Sequence, residues 1–323
     1  MHGDLLDVRL YADEIATQFG LGALRQPPAV AARGELGVVW RVDSEQGGFA
    51  LKQHLQRVDP ESVQATVAFQ ERFARSPGRE YAVPVPIRTV EGGLLAEVGG
   101  MQLSVQSWVD LADADPDLDP VLFARVLADL HRVAEPCEGT VDPWYTAPVG
   151  RERWAAHVAA LRAQGRPGSE QLAAAVPDLL RLEQLLASPR ALRTCHRDLW
   201  ADNVRATPSG RLCVIDWDNA GPADPGHELA AAVFEYGYPD DERCRALIEA
   251  YRAAGGPGRV ESAGSFSMLI AQFGHFYELA VARWLDPQAT PDDAARADAS
   301  LDELSSKPLT PAAVEHLLGL VGE

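Results

Sequence analysis

The sequence predicts an α+β protein of two lobes, and three features carry that expectation. Residues 29–107 alternate short strand patterns with turns and hold a single helix. From Pro120 onward apolar residues recur mainly at helical spacing. One segment, 194–218, interrupts the helices and reads as strand, turn and strand.

The elements follow in order. A helix is expected over Leu5–Phe19, then strand character over Ala29–Ala32 and Val38–Val42, with Gly34-Glu-Leu-Gly37 between them. The turn Asp43–Gly48 leads into a strand ending at Lys52. Asp59-Pro60 starts a helix, Asp as N-cap and Pro at the first position. Val63, Val67 and Ala74 share one stripe of it, with Glu71 on the same side. Strands are expected near 85–90, 94–98 and 101–107. The acidic stretch Asp110–Asp119 separates the halves, so the lobes are read as 1–107 and 108–323. In the second, Leu122, Phe123, Val126, Leu127, Leu130 and Val133 define a helix, and further helices are expected at 152–163, 171–187 and from His227 onward.

Composition narrows the function. No apolar run reaches the roughly 18 residues that a membrane helix needs, and Met1-His2-Gly3-Asp4 does not resemble a secretory signal. The cysteines, Cys137, Cys195, Cys213 and Cys244, show no CxxC spacing and read as reduced thiols of a cytoplasmic protein. A net charge of −18 argues against nucleic acid as a partner and suits a cationic substrate. Only two of the 29 basic residues are lysines, Lys52 and Lys307. A lysine inside a strand of so arginine-rich a chain asks what a compact point charge does there that a planar fork cannot.

The informative segment is Cys195-His196-Arg197-Asp198-Leu199-Trp200-Ala201-Asp202-Asn203-Val204. Thirteen residues after Asn203 stands Asp216, in Val214-Ile-Asp-Trp-Asp218. Val204–Ala206 and Leu212–Ile215 read as two strands joined by the turn Thr207–Gly210. A hairpin brings Asn203 and Asp216 to one end, where their oxygens suit Mg²⁺, a hard ion that also takes substrate phosphates. Asp198, in the loop just before, is placed to accept or orient a hydroxyl proton.

His196-Arg-Asp-Leu-x-x-x-Asn203 resembles the kinase catalytic loop, and Asp216 resembles the metal-binding Asp of D-F-G. Ile215-Asp-Trp-Asp218, the following Gly221–Ala230, and Leu127-Ala-Asp-Leu-His-Arg132 are similar to the aminoglycoside phosphotransferase and choline kinase superfamily. The resemblance runs over about residues 30–235 and implies a bilobal protein-kinase-like fold. By resemblance Asp198 is the catalytic base, and Asn203 and Asp216 are the Mg²⁺ ligands. Lys52 holds the α- and β-phosphates, paired by Glu71 or by Glu61. Gly34 and Gly37 belong to the phosphate loop, and Ser104–Val109, with Gln106 and Trp108, is the hinge for the nucleotide base. His196 buttresses the loop.

The phosphate loop lacks the full G-x-G-x-x-G, and no long activation segment follows Asp218. A small-molecule hydroxyl is therefore favoured as acceptor over a protein. Asp198 is expected to need no raised pKa. Asp218, Tyr277, Glu278 and Trp284 are the candidate acceptor contacts, aromatic and acidic as a cation would require. An aminoglycoside-like antibiotic leads, with choline-like, homoserine-like and sugar acceptors open. ATP and GTP stay open as donor, and monomer and homodimer as assembly. A silent nucleotide-binding pseudokinase is the competing class.

Overall fold

A computed structural model describes residues 7–34, 36–78, 81–166 and 168–321. In chain order the elements are α1 (Ala12–Gln18), β1 (Ala29–Arg33), β2 (Gly37–Ser44), β3 (Gly47–His54), α2 (Pro60–Ala74), β4 (Tyr81–Ala82), β5 (Pro86–Ile87), β6 (Ala96–Val98) and β7 (Met101–Ser107). There follow α3 (Pro120–Val133), α4 (Arg151–Ala163), α5 (Gly168–Glu183), β8 (Arg193–Cys195), β9 (Val204–Ala206), β10 (Leu212–Val214) and β11 (Gly221–Ala223). The chain ends in α6 (Pro225–Tyr236), α7 (Asp241–Ala253), α8 (Ser267–Leu285), α9 (Pro291–Ser306) and α10 (Pro311–Val321). The α+β expectation holds.

The chain forms two compact units. One contains the residues up to Asp115 together with Asp198–Ala220; the other contains Pro116–Arg197 and everything from Gly221 onward. In the first, an antiparallel sheet runs in the order β1-β2-β3-β7-β5, with β6 also on β7. Alternation along β2, β3 and β7 sends Val38, Trp40, Val42, Leu51, Leu103 and Val105 into a core closed by Ile15 of α1 and by Phe19, which follows the helix. The opposite face carries Lys52, which is cross-paired with Val39 and Ser104, while Ala50 is paired with Gln106.

Helix α2 starts as its sequence dictates, with the Asp59 carboxylate accepting from Ser62 N at 3.0 Å and Pro60 in the first turn. Its buried face is Val67, Phe69, Gln70 and Phe73; Val67 is buried as expected, while Val63 and Ala74 of the same stripe are only half-buried. The reason is the aromatic residue that receives it. Phe69 meets the Trp217 ring edge-on at 5.5 Å, and Phe73 lies 5.6 Å from the same ring. Phe73 is also stacked on Tyr81 at 4.1 Å.

The second unit is helical apart from the two-stranded β8–β11 ladder. Asp119 caps α3 through Val121 N at 2.9 Å, and the α3 pattern buries Phe123, Val126, Leu127 and Leu130 as expected. None of the described helices is long and apolar enough to cross a membrane.

Candidate functional site

The site is built on the hairpin of β9 and β10. Val204 pairs with Val214 and Leu212 with Ala206, and Ile215 N donates to Asn203 O at 2.9 Å. That last bond closes the open end of the hairpin and sets Asn203 beside Ile215 and Asp216, as the spacing predicted. Asp216 itself is left-handed, with φ +53°. Trp217, next to it, is buried, and its indole N–H donates to Val214 O at 3.2 Å. The aromatic ring locks the turn while its two neighbours, Asp216 and Asp218, point to the same ammonium.

That ammonium is Lys52. Its Nζ lies 2.8 Å from Asp216 Oδ1 and 2.8 Å from Asp218 Oδ2. Burial alone would favour the neutral amine, but the charges of Asp218 and Asp216 more than reverse it, so the Lys52 pKa is raised. Gly37 packs on the stem of this side chain. A Cβ there would stand 2.9 Å from Lys52 Cε and 2.9 Å from Gln53 O, so only glycine fits. Gly34 N donates to Gly37 O at 2.9 Å, which tightens the turn before β2.

Asp198 is held by two amides. Asn203 Nδ2 donates to its Oδ2 at 2.9 Å and to its backbone oxygen at 2.9 Å; Asn219 Nδ2 donates to the same Oδ2 at 3.0 Å. Burial, then the charge of Asp216, push the Asp198 carboxyl up to about 6, against the pull of the two amides and Lys52. The carboxylate is desolvated and shares its surroundings with a second one.

The oxygens present fit a hard divalent cation. With its Nδ2 committed to Asp198, Asn203 keeps a carbonyl oxygen for a metal, and Asp216 adds a carboxylate on the other side of the closed hairpin end. The one compact His, Cys and carboxylate group among the described residues is His131, Cys195 and Glu228. It is taken up by its own hydrogen bonds, His131 giving 2.7 Å to Glu228 Oε2 and 2.6 Å to Tyr251 Oη, and reads as structure.

Other expected residues fall elsewhere. Glu71 is not brought to Lys52. It pairs with Arg75 at 2.7 Å, one helical turn on, and lies 3.7 Å from Arg88, because α2 turns Phe69 and Phe73 inward instead. Glu61 is exposed in the first turn of α2. Gln106 shares the face of Lys52, and its Oε1 is 3.5 Å from Gln70 Nε2. Trp108 gives its backbone N–H to Gly48 O and its indole N–H to Asp110, with Arg41 4.7 Å above the ring. Tyr277 and Trp284 are core residues, 5 % and 4 % exposed, and the Trp284 indole N–H is satisfied by Asp298 at 3.0 Å. Glu278 accepts from His157 at 3.0 Å and from His275 at 2.9 Å.

Two participants were not singled out from the sequence. Asn219 follows Asp218 directly and carried no pattern of its own. His54 was legible in principle, since a residue two beyond Lys52 shares its face of the strand. Its Nδ1 is 3.7 Å from Asp218 Oδ2 and its Nε2 is 3.0 Å from Ser104 Oγ. Burial lowers its pKa, with Asp218 opposing and Lys52 assisting.

Residues 30–263 match the model of the phosphotransferase enzyme family. The chain belongs to that family. Membership fixes the reaction class as phosphoryl transfer and agrees with the superfamily the motifs resemble. The chain is 42 % identical over 79 residues to a thiamine kinase of Salmonella typhimurium, a match that spans 23 % of this chain and 27 % of that protein. Among solved structures, a spectinomycin phosphotransferase in complex with ADP and spectinomycin superposes with a TM-score of 0.68 at 13 % identity, covering 99 % of this chain and 100 % of that one. A choline kinase from Streptococcus pneumoniae gives a TM-score of 0.56 at 16 % identity over 91 % and 98 % of the two chains. At such identities the likeness is one of fold.

Proposed function

We propose that this family member transfers the γ-phosphoryl group of a nucleoside triphosphate to a hydroxyl of a small molecule. The observation that carries the reading is the desolvated carboxylate of Asp198, held by Asn203 and Asn219 in the same cluster as Lys52 and Asp216. ADP bound to the spectinomycin phosphotransferase supports a nucleotide donor here. Residues 1–107 bind the nucleotide, through Gly34, Gly37, Lys52, Gln106 and Trp108; residues 108–323 carry the acceptor side.

Each residue has a definite task. Lys52 neutralises the α- and β-phosphates. Asn203 and Asp216 would hold Mg²⁺, which when bound would screen the triphosphate charge. Asp198 takes the acceptor hydroxyl proton as the oxygen–phosphorus bond forms and the bond to the β-phosphate breaks, leaving a nucleoside diphosphate. With its pKa near 6 the carboxylate is mostly ionised at pH 7 and still a better proton acceptor than an ordinary aspartate.

The acceptor we favour is cationic and aminoglycoside-like, because the chain carries a net charge of −18. The same charge argues against nucleic acid as a partner, and the scattered thiols fit the cytoplasm. The test is an acceptor screen with Mg-ATP and Mg-GTP against aminoglycosides, other antibiotics, thiamine, amino alcohols and sugars. One acceptor should be turned over, and Asp198→Asn should lower kcat about 100-fold or more with little change in nucleotide affinity. Near-normal turnover by that variant removes Asp198 from the role of base.

A further inference from the structure

Two non-glycine residues have positive φ among the described residues: Asp216 and Arg197, the latter at +66°. Arg197 immediately precedes Asp198, so its backbone sets the direction in which that carboxylate leaves the chain. A left-handed arginine is strained and persists only where its surroundings fix it.

Several contacts fix this one, the guanidinium's hydrogen bond to Pro222 O at 3.4 Å and three more among them. Glu228 Oε1 accepts the Arg197 N–H. The guanidinium lies 4.3 Å over the Tyr145 ring. Gln272 Nε2, from α8, donates to Arg197 O at 3.0 Å. The last differs in kind from the others, because the carbonyl it holds belongs to the peptide plane joining Arg197 to Asp198.

Gln272 is 2 % exposed, and its Oε1 finds no hydrogen-bond partner among the described residues. A buried acceptor without a donor lowers stability, and a methionine of similar length would fill the space without one. What the amide supplies here is the donor to Arg197 O, at the cost of an unpaired Oε1.

We propose that Gln272 is a positioning residue, which holds the 197–198 peptide plane in the orientation a left-handed Arg197 imposes and so aims Asp198. The inference rests on the reading of Asp198 as the base. A glycine at 197 adopts positive φ without strain, so the demand on Gln272 should fall in that background.

The experiment is steady-state hydrolysis of Mg-ATP, with water as acceptor, by wild type, Asp198→Asn, Gln272→Met, Arg197→Gly and the double variant Arg197→Gly/Gln272→Met. Thermal melts accompany each. Gln272→Met should lower kcat about tenfold, the value of one lost hydrogen bond, with the KM for ATP unchanged. In the Arg197→Gly background the same change should cost less than about threefold. Gln272→Glu, which lacks the donor at neutral pH, should repeat the loss and serves if the methionine variant does not fold. Full kcat in a folded Gln272 variant, or equal losses in both backgrounds, overturns the positioning role alone. Hydrolysis that ignores Asp198→Asn overturns the reading of Asp198 itself, and the inference with it.

Discussion

Lys52 Nζ and Asp216 Oδ1 are 2.8 Å apart, and the left-handed backbone of Asp216 turns its carboxylate toward that ammonium. The two residues are 164 positions apart in sequence, yet they share one charged knot with Asp218. On the proposed reading a nucleotide would compete for both partners: its phosphates for the lysine, its accompanying cation for the carboxylate.

Lys52→Arg should therefore lower activity about 100-fold, although charge is kept. The stem of Lys52 is wedged against Gly37, where no Cβ can be accommodated, and a planar guanidinium cannot occupy the same point. Turnover measured beside a thermal melt separates lost chemistry from lost folding. Wild-type activity in the arginine variant would mean that the phosphates are anchored elsewhere.

Asp216→Ala should abolish magnesium-dependent nucleotide binding, since it removes one of two carboxylates that hold Lys52 and the proposed metal ligand with it. Titration calorimetry with Mg-ATP and with metal-free ATP reads this directly. Unchanged Mg-ATP affinity would sink the assignment of metal to the hairpin end.

Stability should fall in acid partly through Glu228. Burial alone would raise its carboxyl, but the His131 hydrogen bond, the imidazoles of His131 and His196 and the Arg197 N–H together lower it. A carboxyl depressed in the folded state stabilises above its unfolded pKa of about 4.3, and that contribution is lost as pH falls through the folded value. Glu228→Gln should melt lower than wild type at pH 7 and show a flatter decline toward pH 4. Parallel curves for the two proteins would show that Glu228 does not couple to protons in this way.

Thiol reactivity should be confined to Cys137. Burial raises all four thiols, Cys213 up to about 12 and Cys244 up to about 11, and Cys195 is fully buried. Cys137 is only partly buried, although its thiol too is raised by burial. An aromatic disulfide reagent at pH 8 should modify this one residue slowly in the native protein and all four cysteines in denaturant. Fast modification of Cys213 would contradict the closed β9–β10 hairpin.

The parts of the site legible in the sequence are those whose geometry is local. A loop, a tight hairpin and a residue after it fix Asp198, Asn203 and Asp216 within 19 positions, so spacing alone brings them together. The rarity of lysine only draws attention to Lys52; its task is what the resemblance to a kinase strand lysine implies. Glu71 was misassigned because its partner depends on how α2 is rotated, and the decisive contact, Phe69 and Phe73 on Trp217, spans nearly 150 residues of chain. Tyr277 and Trp284 mark the same limit: aromatic residues at helical spacing look alike whether they face a ligand or a core.

Trp217 gives α2 a mechanical meaning. Its ring is gripped by Phe69 and Phe73, and Asp216 and Asp218 sit on either side of it in the chain. The helix thus holds the carboxylate pair as a lever holds a cam. The indole and the two carboxylates beside it are tied to α2 through these rings, and to β3 through the Lys52 ammonium.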